Sequence, residues 1–376
     1  MPAWIESLVV AIAAFGVVFG TVVIIHELGH FWVARWLGVK IRAFSIGFGP
    51  VAVERTDKRG VKWRLSALPL GGYVMFATAQ TPDNDTLYGP KGLYEEQSPL
   101  RRIAIASAGP LANILLSIGL LAILAMTAGE QRISPLPIVG YVAPESAADR
   151  AGLAEGDKIL AIDGTPISAF DELRAIVAAR PNEEVAFQVA RAQGEESEFR
   201  IRIDAAEDPN APGKVLGRLG VAPRSETYRV GPFTALLKGA QGAFLQFAAT
   251  AEYLGRLLTG KAGIDGLAGP IGIAKISGDV ARAGAQDSAT LADGVIGVTV
   301  RLTELAAFLS IAVAFMNLLP LPMLDGGAIL FYVAEMARGR PLNEQLRAGL
   351  ERVSLVALLI LAAIVTWGDI GRTFGS

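Results

Sequence analysis

Residues 8–30 read LVVAIAAFGVVFGTVVIIHELGH and join an apolar segment to the two histidines of the chain. The first 18 of these residues, up to Ile25, carry no charge, which is enough helix to cross most of a bilayer's hydrocarbon core. His26 and His30 are four positions apart, so on a helix they share one face and Glu27 stands beside them. The stretch therefore predicts a membrane helix that ends in two metal-ligating imidazoles.

The composition is that of a membrane protein. Hydrophobic residues make up 52% of the 376 residues, and the mean hydropathy is +0.43. Three further uncharged segments cover residues 103–129, 305–324 and 353–368, with 27, 20 and 16 residues. We predict four transmembrane helices. The first lacks a basic region before it and leads directly into the histidines, so we expect a retained helix rather than a cleaved signal.

The distribution of charge predicts the orientation of these helices. Residues 35–102 contain 11 Lys/Arg against 6 Asp/Glu, whereas residues 130–224 contain 16 acidic against 11 basic residues. Because basic loops stay in the cytoplasm, the N-terminus and the region between the second and third spans should face outward. No basic patch is interleaved with aromatic residues, so nucleic acid is not an expected partner. The chain has no cysteine and hence no disulfide.

The third metal ligand has to be a carboxylate, because the chain offers no other histidine and no cysteine. Asp325 follows Pro320 and Pro322 at the end of the third span, and two glycines come after it. A broken backbone at membrane depth is tolerated where it is buried in protein or lines a cavity. The predicted topology places Asp325 and the histidines at the same cytoplasmic depth. The alternatives are a turn residue that ends a helix, and two histidines that meet by chance.

A β-hairpin next to the membrane is predicted after the first helix. Residues 61–65 alternate apolar and polar side chains, and glycines that include Gly71 and Gly72 bracket the strand-like runs. The alternative is a hairpin that only connects helices. The polar stretch 78–98 is predicted to be a loop.

A compact α/β module is predicted between the second and third spans. The run from Ala151 to Gly164, AGLAEGDKILAIDG, precedes a helix at about 168–179 and strands at 184–190 and 198–203. This pattern resembles a bacterial PDZ domain, which implies binding of an extended peptide at a sheet edge. The alternative is a spacer without a ligand. Residues 233–258 then predict an amphipathic helix, either in the outer membrane interface or packed on this module.

The predicted fold is a polytopic α-helical membrane protein with four transmembrane helices, a membrane-associated β-hairpin region and an inserted α/β PDZ domain. Seven segments divide the chain: the first span with the histidines, the hairpin region and loop, the second span, the PDZ domain, the amphipathic helix with its connection, the third span with Asp325, and a basic segment with the fourth span. Their bounds are 1–36, 37–100, 101–129, 130–225, 226–294, 295–337 and 338–376.

Three sequence blocks in order resemble the site-2 protease family of intramembrane zinc metalloproteases. They are the HELGH run, Gly109-Pro110-Leu111-Ala112-Asn113, and the run from Asn317 to Gly327. The chain is most similar to the bacterial subgroup that acts as regulator of sigma-E protease. The resemblance implies that Zn²⁺ is bound by His26, His30 and Asp325.

The resemblance also implies roles for other residues. Glu27 would be the general base, and Asn113 and Asn317 would contact the substrate backbone or the oxyanion. The strand around Gly71 and Gly72 would pair with an unwound substrate segment. Two features depart from the subgroup: Ala328 stands where histidine is usual, and the chain has room for one PDZ domain rather than two.

By the same resemblance, the expected substrate is a single-span membrane protein such as an anti-sigma factor, with remnant signal peptides second. The expected location is the bacterial inner membrane, with the PDZ domain in the periplasm and the zinc site towards the cytoplasm. Two other classes of protein fit the sequence less well. An inactive PDZ scaffold would not need Glu27 with a full ligand set, and an ion transporter would carry acidic or histidine residues on several spans.

Overall fold

The computed structural model describes residues 3–78, 92–127, 129–191, 194–207, 215–263, 266–286 and 290–374. The chain forms two compact units, one of Met1–Ala128 with Gly231–Ser376 and the other of Gly129–Val230. Most of the loop predicted at 78–98 lies outside the described residues.

The described residues form the following helices and strands, each numbered in chain order. The helices are α1 (Ala3–Trp36), α2 (Pro99–Thr127), α3 (Ala147–Arg150), α4 (Phe170–Ala178), α5 (Pro232–Leu258), α6 (Pro270–Gln286), α7 (Leu291–Leu318), α8 (Asp325–Arg338) and α9 (Glu344–Phe374). The strands are β1 (Ile41–Thr56), β2 (Lys62–Phe76), β3 (Glu130–Ile133), β4 (Val139–Val142), β5 (Lys158–Ile162), β6 (Thr165–Pro166), β7 (Glu184–Ala190), β8 (Glu196–Arg202), β9 (Asp204–Glu207), β10 (Val215–Arg218), β11 (Val221–Pro223) and β12 (Ser225–Tyr228).

Four described helices are long and apolar enough to cross a membrane, as the sequence predicted. They comprise Ile5–Trp36, Pro99–Thr127, Leu291–Leu318 and Glu344–Thr373. The third differs from the predicted segment 305–324, because it begins at Leu291 and ends at Leu318. The predicted segment starts too late because the first turns of the helix carry charged residues, among them Arg301 and Glu304. It ends too late because Pro320 and Pro322 lie beyond the last turn of the helix.

Strands β1 and β2 form a longer sheet than the short runs expected. They pair from Ile41 opposite Phe76 to Thr56 opposite Lys62, with repeated shifts of register. Residues 43–46 of β1 have partners on both sides, because β2 contacts them with residues 62–65 and again with residues 72–75. Gly71 and Gly72 thus lie within β2. Phe31 of α1 packs on Phe44 and Trp63, which joins the sheet to the C-terminal end of this helix.

Helix α5 packs on two of the long apolar helices. Its Gly239 lies against Ala122 of α2, its Gln246 Nε2 donates to the Phe308 carbonyl of α7 at 2.7 Å, and its Phe247 stacks edge-on against Phe315. The helix therefore belongs to the first unit, where it covers part of α2 and α7. The membrane-interface position predicted for it remains a prediction.

A buried carboxylate joins α9 to α6. Asp369 is 1% exposed; its Oδ2 accepts the Gly272 N–H at 2.8 Å, and its Oδ1 accepts from Arg372 at 2.9 Å. Arg372 also donates to the Leu267 carbonyl at 2.8 Å. The carboxylate satisfies a free N–H in the first turn of α6, where negative charge is favoured.

The second unit has a sheet of its own, in the order β6-β5-β7-β8, with α3 and α4 packed on it. The helix and strands predicted at 168–179, 184–190 and 198–203 correspond to α4, β7 and β8. Three antiparallel pairs complete the unit: β3 with β12, β4 with β11, and β9 with β10. Ile159, Phe187 and Leu173 are almost completely buried in its core.

One ion pair fixes the turn that leads into β5. Asp157 is 1% exposed, and its Oδ2 accepts from the Ala154 N–H at 2.9 Å and from Arg191 Nη1 at 2.8 Å. Arg191 also donates to the Gly152 carbonyl and lies over the Phe199 ring. The carboxylate thus connects the turn at Gly152 to the end of β7.

We expect Asp157→Ala to destabilise the second unit by about 2–3 kcal/mol, because it removes a buried carboxylate that accepts from both the Ala154 N–H and Arg191. Asp171→Ala is the matched control; the Asp171 side chain is 91% exposed, and its loss should cost less than about 1 kcal/mol. Hydrogen exchange of β5 and β7 peptides in the full chain measures both effects. Equal protection in the two variants would contradict the assignment.

Candidate metal centre

The two histidines converge on one point beside α2. His26 and His30 lie one helical turn apart on α1, are 7% and 9% exposed, and place their Nε2 atoms 3.2 Å apart. The spacing alone brings the rings together, since residues i and i+4 of a helix are neighbours.

Asp325 reaches the same point from the beginning of α8. Its Oδ2 lies 3.2 Å from His26 Nε2 and 3.4 Å from His30 Nε2. The three ligand atoms all lie within 4.8 Å of one another. The structure thus brings together the three residues that the sequence analysis predicted as metal ligands. Asp325 begins helix α8 and does not end a helix.

The connection between α7 and α8 is tight enough to require glycine. Gly326 and Gly327 are buried, and a Cβ on either would overlap a backbone carbonyl of the preceding loop. This loop, residues 319–324, contains both prolines. Its close packing positions the first turn of α8, and with it Asp325, against α1.

Contacts further along α8 hold the helix in place. Arg102 of α2 pairs with Glu335 at 2.6 Å and lies over the ring of Tyr332, which is 3% exposed. The Tyr332 hydroxyl is 3.0 Å from the hydroxyl of Tyr94. Burial raises the pKa of the Tyr94 phenol, so this hydroxyl remains protonated and able to donate. No sequence motif identifies these residues.

A backbone carbonyl determines which nitrogen of His30 is free. His30 Nδ1 lies 2.8 Å from the Ile105 carbonyl oxygen of α2. A carbonyl can only accept, so Nδ1 carries a proton, and Nε2, which faces Asp325, is the nitrogen left to bind a metal. Nothing in the sequence could have identified Ile105, because its side chain takes no part in the contact.

Gly109 provides the space for both rings. A Cβ on this residue would overlap His30 Nε2 and would lie 2.8 Å from His26 Cε1. At the preceding residue of α2, the Ala108 carbonyl lies so close to Gly29 that α1 also needs a glycine there. The family resemblance implies a role for Asn113 in this block and none for Gly109.

Glu27 lies beside β2. A Cβ on Gly72 would lie 3.1 Å from Glu27 Cγ, and the Val74 N–H is within hydrogen-bonding reach of the Glu27 carboxylate. Gly71 has a φ of +86° and lies against the ring of Phe48. The strand proposed to hold substrate thus passes directly by the proposed base.

The two asparagines lie in different surroundings. Asn113 has no exposed surface, and its Nδ2 is 3.4 Å from His26 Nδ1, so in this conformation it contacts a histidine rather than a substrate. Asn317 is partly exposed in the last turn of α7. The substrate contacts predicted for both remain predictions.

Comparison with known proteins agrees with this geometry. A family model described as Peptidase family M50 matches residues 14–361. The chain belongs to peptidase family M50. It is 34% identical to a protein of Rhizobium meliloti that is named as a zinc metalloprotease, over 99% of each chain. It is 35% identical to a similarly named protein of Agrobacterium fabrum, over 97% of this chain and 96% of the relative. It is also 35% identical to metalloprotease MmpA of Caulobacter vibrioides, over 94% of each.

This M50 enzyme is a metalloprotease whose cofactor is zinc. The three residues fit that ion. Asp325 Oδ2 is buried and accepts no hydrogen bond from the described part of the chain, although two imidazole nitrogens face it. Three electron-pair donors that point at one another need a cation between them. Two imidazoles and one carboxylate are a ligand set that catalytic zinc sites use.

We expect Gly109→Ala to reduce zinc affinity at least about tenfold, because the added methyl group displaces both imidazoles. Gly119→Ala on the same helix is the matched control, since a Cβ there meets nothing within 4 Å. Zinc content after equilibration with a chelator measures the effect in detergent-purified protein. Wild-type zinc retention by Gly109→Ala would show that the site has more room than the structure gives it.

Proposed function

We propose that the enzyme hydrolyses peptide bonds within the transmembrane segments of single-span membrane proteins. The observation that carries this proposal is the position of the candidate metal centre on α1, α2 and α8. Its histidines follow directly on the apolar segment Leu8 to Ile25. Ionisable groups in such a helix are costly and are retained for function.

Zinc, when bound, supplies an acidified water and a Lewis acid that polarises the scissile carbonyl. Glu27 lies next to both histidines in sequence and accepts the proton of the attacking water as the new C–O bond forms. The same carboxyl then delivers this proton to the leaving nitrogen as the C–N bond breaks. Each cleavage therefore consumes one water molecule and returns Glu27 to its ionised form.

A helical substrate has to unwind before its carbonyl can be attacked, because its backbone is engaged in internal hydrogen bonds. The β2 segment from Gly71 to Val74 supports a route for this step, since it runs beside Glu27. We propose that the unwound segment adds to β2 as a further strand. Asn317, at the end of α7, would hold the substrate backbone.

The apolar surface of the β1–β2 sheet supports a position at the membrane. Phe48, Val51, Val53, Leu65 and Leu68 are each more than two-fifths exposed. Such a patch is unusual on a surface that faces only water. We propose that this sheet contacts the lipid bilayer.

We propose that residues 130–225 form a PDZ domain that binds a peptide or part of the substrate. A groove of about 500 Å³ lies between α4 and β11, lined by Phe170, Leu173, Val177, Leu216, Leu219 and Val221. Among the described residues, β11 pairs only with β4, so its other edge is open to an added strand. This arrangement supports the likeness to the regulator of sigma-E protease subgroup.

The charge distribution supports a place in the bacterial inner membrane. Basic residues dominate the segment 35–102 and acidic ones the segment 130–224, which favours a periplasmic PDZ domain and a zinc site near the cytoplasm. We propose an anti-sigma factor as the leading substrate, followed by remnant signal peptides.

We expect Glu27→Gln to keep the wild-type zinc content and to lower cleavage of a single-span reporter by at least about 10²–10⁴-fold, because the amide cannot accept the proton. Purified protein in detergent or liposomes, analysed for metal and for the cleavage site, gives both readouts. Glu351→Gln, at the α9 pair with Arg347, is the matched control and should remain active. Cleavage of the reporter by Glu27→Gln at the wild-type rate would show that Glu27 is not the general base.

We expect Asp325→Asn to lower zinc affinity and activity together, since it removes the charged ligand. Undiminished zinc binding by this variant would point to another third ligand. A wild-type protein that binds zinc but leaves every single-span reporter intact would favour the inactive scaffold instead.

A further inference from the structure

Asn113 lies where three helices meet at the metal centre. Its side chain on α2 faces His26 Nδ1 of α1, and its backbone carbonyl accepts a 2.8 Å hydrogen bond from Ser310 Oγ of α7. Asn113 and Ser310 are both completely buried. Packing against α1 and α7 therefore fixes the position of the Asn113 side chain.

A histidine that binds a metal through one nitrogen carries its proton on the other, and that N–H needs an acceptor. For His30 the acceptor is the Ile105 carbonyl. For His26 the group in this position is the Asn113 amide, 3.4 Å from Nδ1. The two ligands thus have different partners behind them, one from the main chain and one from a side chain.

An amide, unlike a carbonyl, can either donate or accept, and rotation by 180° exchanges its two ends without moving its other atoms. If Nδ2 faces His26, it donates to Nδ1 and leaves the proton on Nε2, which then cannot bind a metal. If Oδ1 faces His26, Nδ1 keeps the proton and Nε2 offers its lone pair. Only the second orientation gives His26 the tautomer that His30 already has.

We propose that Asn113 is a positioning residue for the zinc ligand His26, and that its Oδ1 accepts the Nδ1–H of this histidine in the zinc-loaded enzyme. The proposal rests on the proposed zinc site. It gives Asn113 a role other than the substrate contact that the sequence suggested. The residue acts on zinc affinity through His26, and it touches neither the metal nor the substrate.

The chemistry of the site explains why an amide serves here. The centre already holds the carboxylates of Asp325 and Glu27, whose charges balance one divalent cation. A third carboxylate behind His26 would add an unbalanced buried charge, which is costly in an apolar interior. A neutral acceptor of similar shape avoids that cost and still orients the imidazole.

Zinc affinity of the purified full-length enzyme, measured by competition with a chelator, tests the proposal. Asn113→Leu keeps the volume but has no acceptor, so we expect zinc to bind about 10–100-fold more weakly. Asn113→Asp, when ionised, keeps an acceptor at this position; the cost of its buried charge falls on folding and is not increased by a bound cation, so its zinc affinity should stay within about tenfold of wild type. Ser117→Ala is the matched control, because Ser117 is equally buried one turn further along α2 and its hydroxyl has no partner among the described residues.

Wild-type zinc affinity in Asn113→Leu, together with lost cleavage, would overturn the proposal in favour of a substrate contact. Weak zinc binding by Asn113→Asp would overturn it as well, because that result requires a donor at this position. If Asn113→Leu does not fold, Asn113→Ala, which also lacks an acceptor, takes its place in the same measurement. The visible spectrum of the cobalt-loaded variants reports the ligand geometry independently of activity. The zinc content of the wild-type enzyme and the activity of Glu27→Gln test the proposed function separately.

Discussion

The arrangement of the first unit depends on three electron-pair donors held against one another in an apolar interior. His26 Nε2, His30 Nε2 and Asp325 Oδ2 lie within 4.8 Å, and none of the residues is more than partly exposed. Without a cation such a cluster is unfavourable, since the groups have lost their water and oppose one another. Zinc bound at this point would supply the missing charge, and its binding would then help to hold α8 against α1.

Small residues make this convergence possible. Gly29 lets α2 approach α1, Gly109 leaves room for both imidazoles, and Gly326 with Gly327 lets α8 begin directly under the loop from α7. A side chain at Gly29, Gly326 or Gly327 would displace backbone, and one at Gly109 would displace the imidazoles themselves, so the three donor atoms could not keep their distances. These glycines thus shape the candidate metal centre, although none of them offers a ligand atom.

The ligand set could be read from the sequence because the alternatives were few. Two histidines at i and i+4, no cysteine, and one aspartate at the broken end of an apolar segment leave little choice, and the structure brings these three residues together. The strands and helix of the second unit could also be predicted, since alternation and turn residues are local signals. The ends of the long helices were harder to predict. The third span was placed too far along the chain, because hydropathy does not register where a proline-rich loop begins.

The amino-acid sequence by itself determined the membrane character of the chain, the number of apolar spans and the residues able to bind zinc. These follow from composition and from spacings of a few residues. Only the tertiary structure decided which groups contact the two histidines and Glu27. These are the Ile105 carbonyl for His30, the Asn113 amide for His26, and the β2 segment for Glu27. These contacts join residues tens of positions apart and involve a backbone atom, a buried amide and a strand edge. Their positions are set by the packing of helices and sheet, which no local pattern encodes.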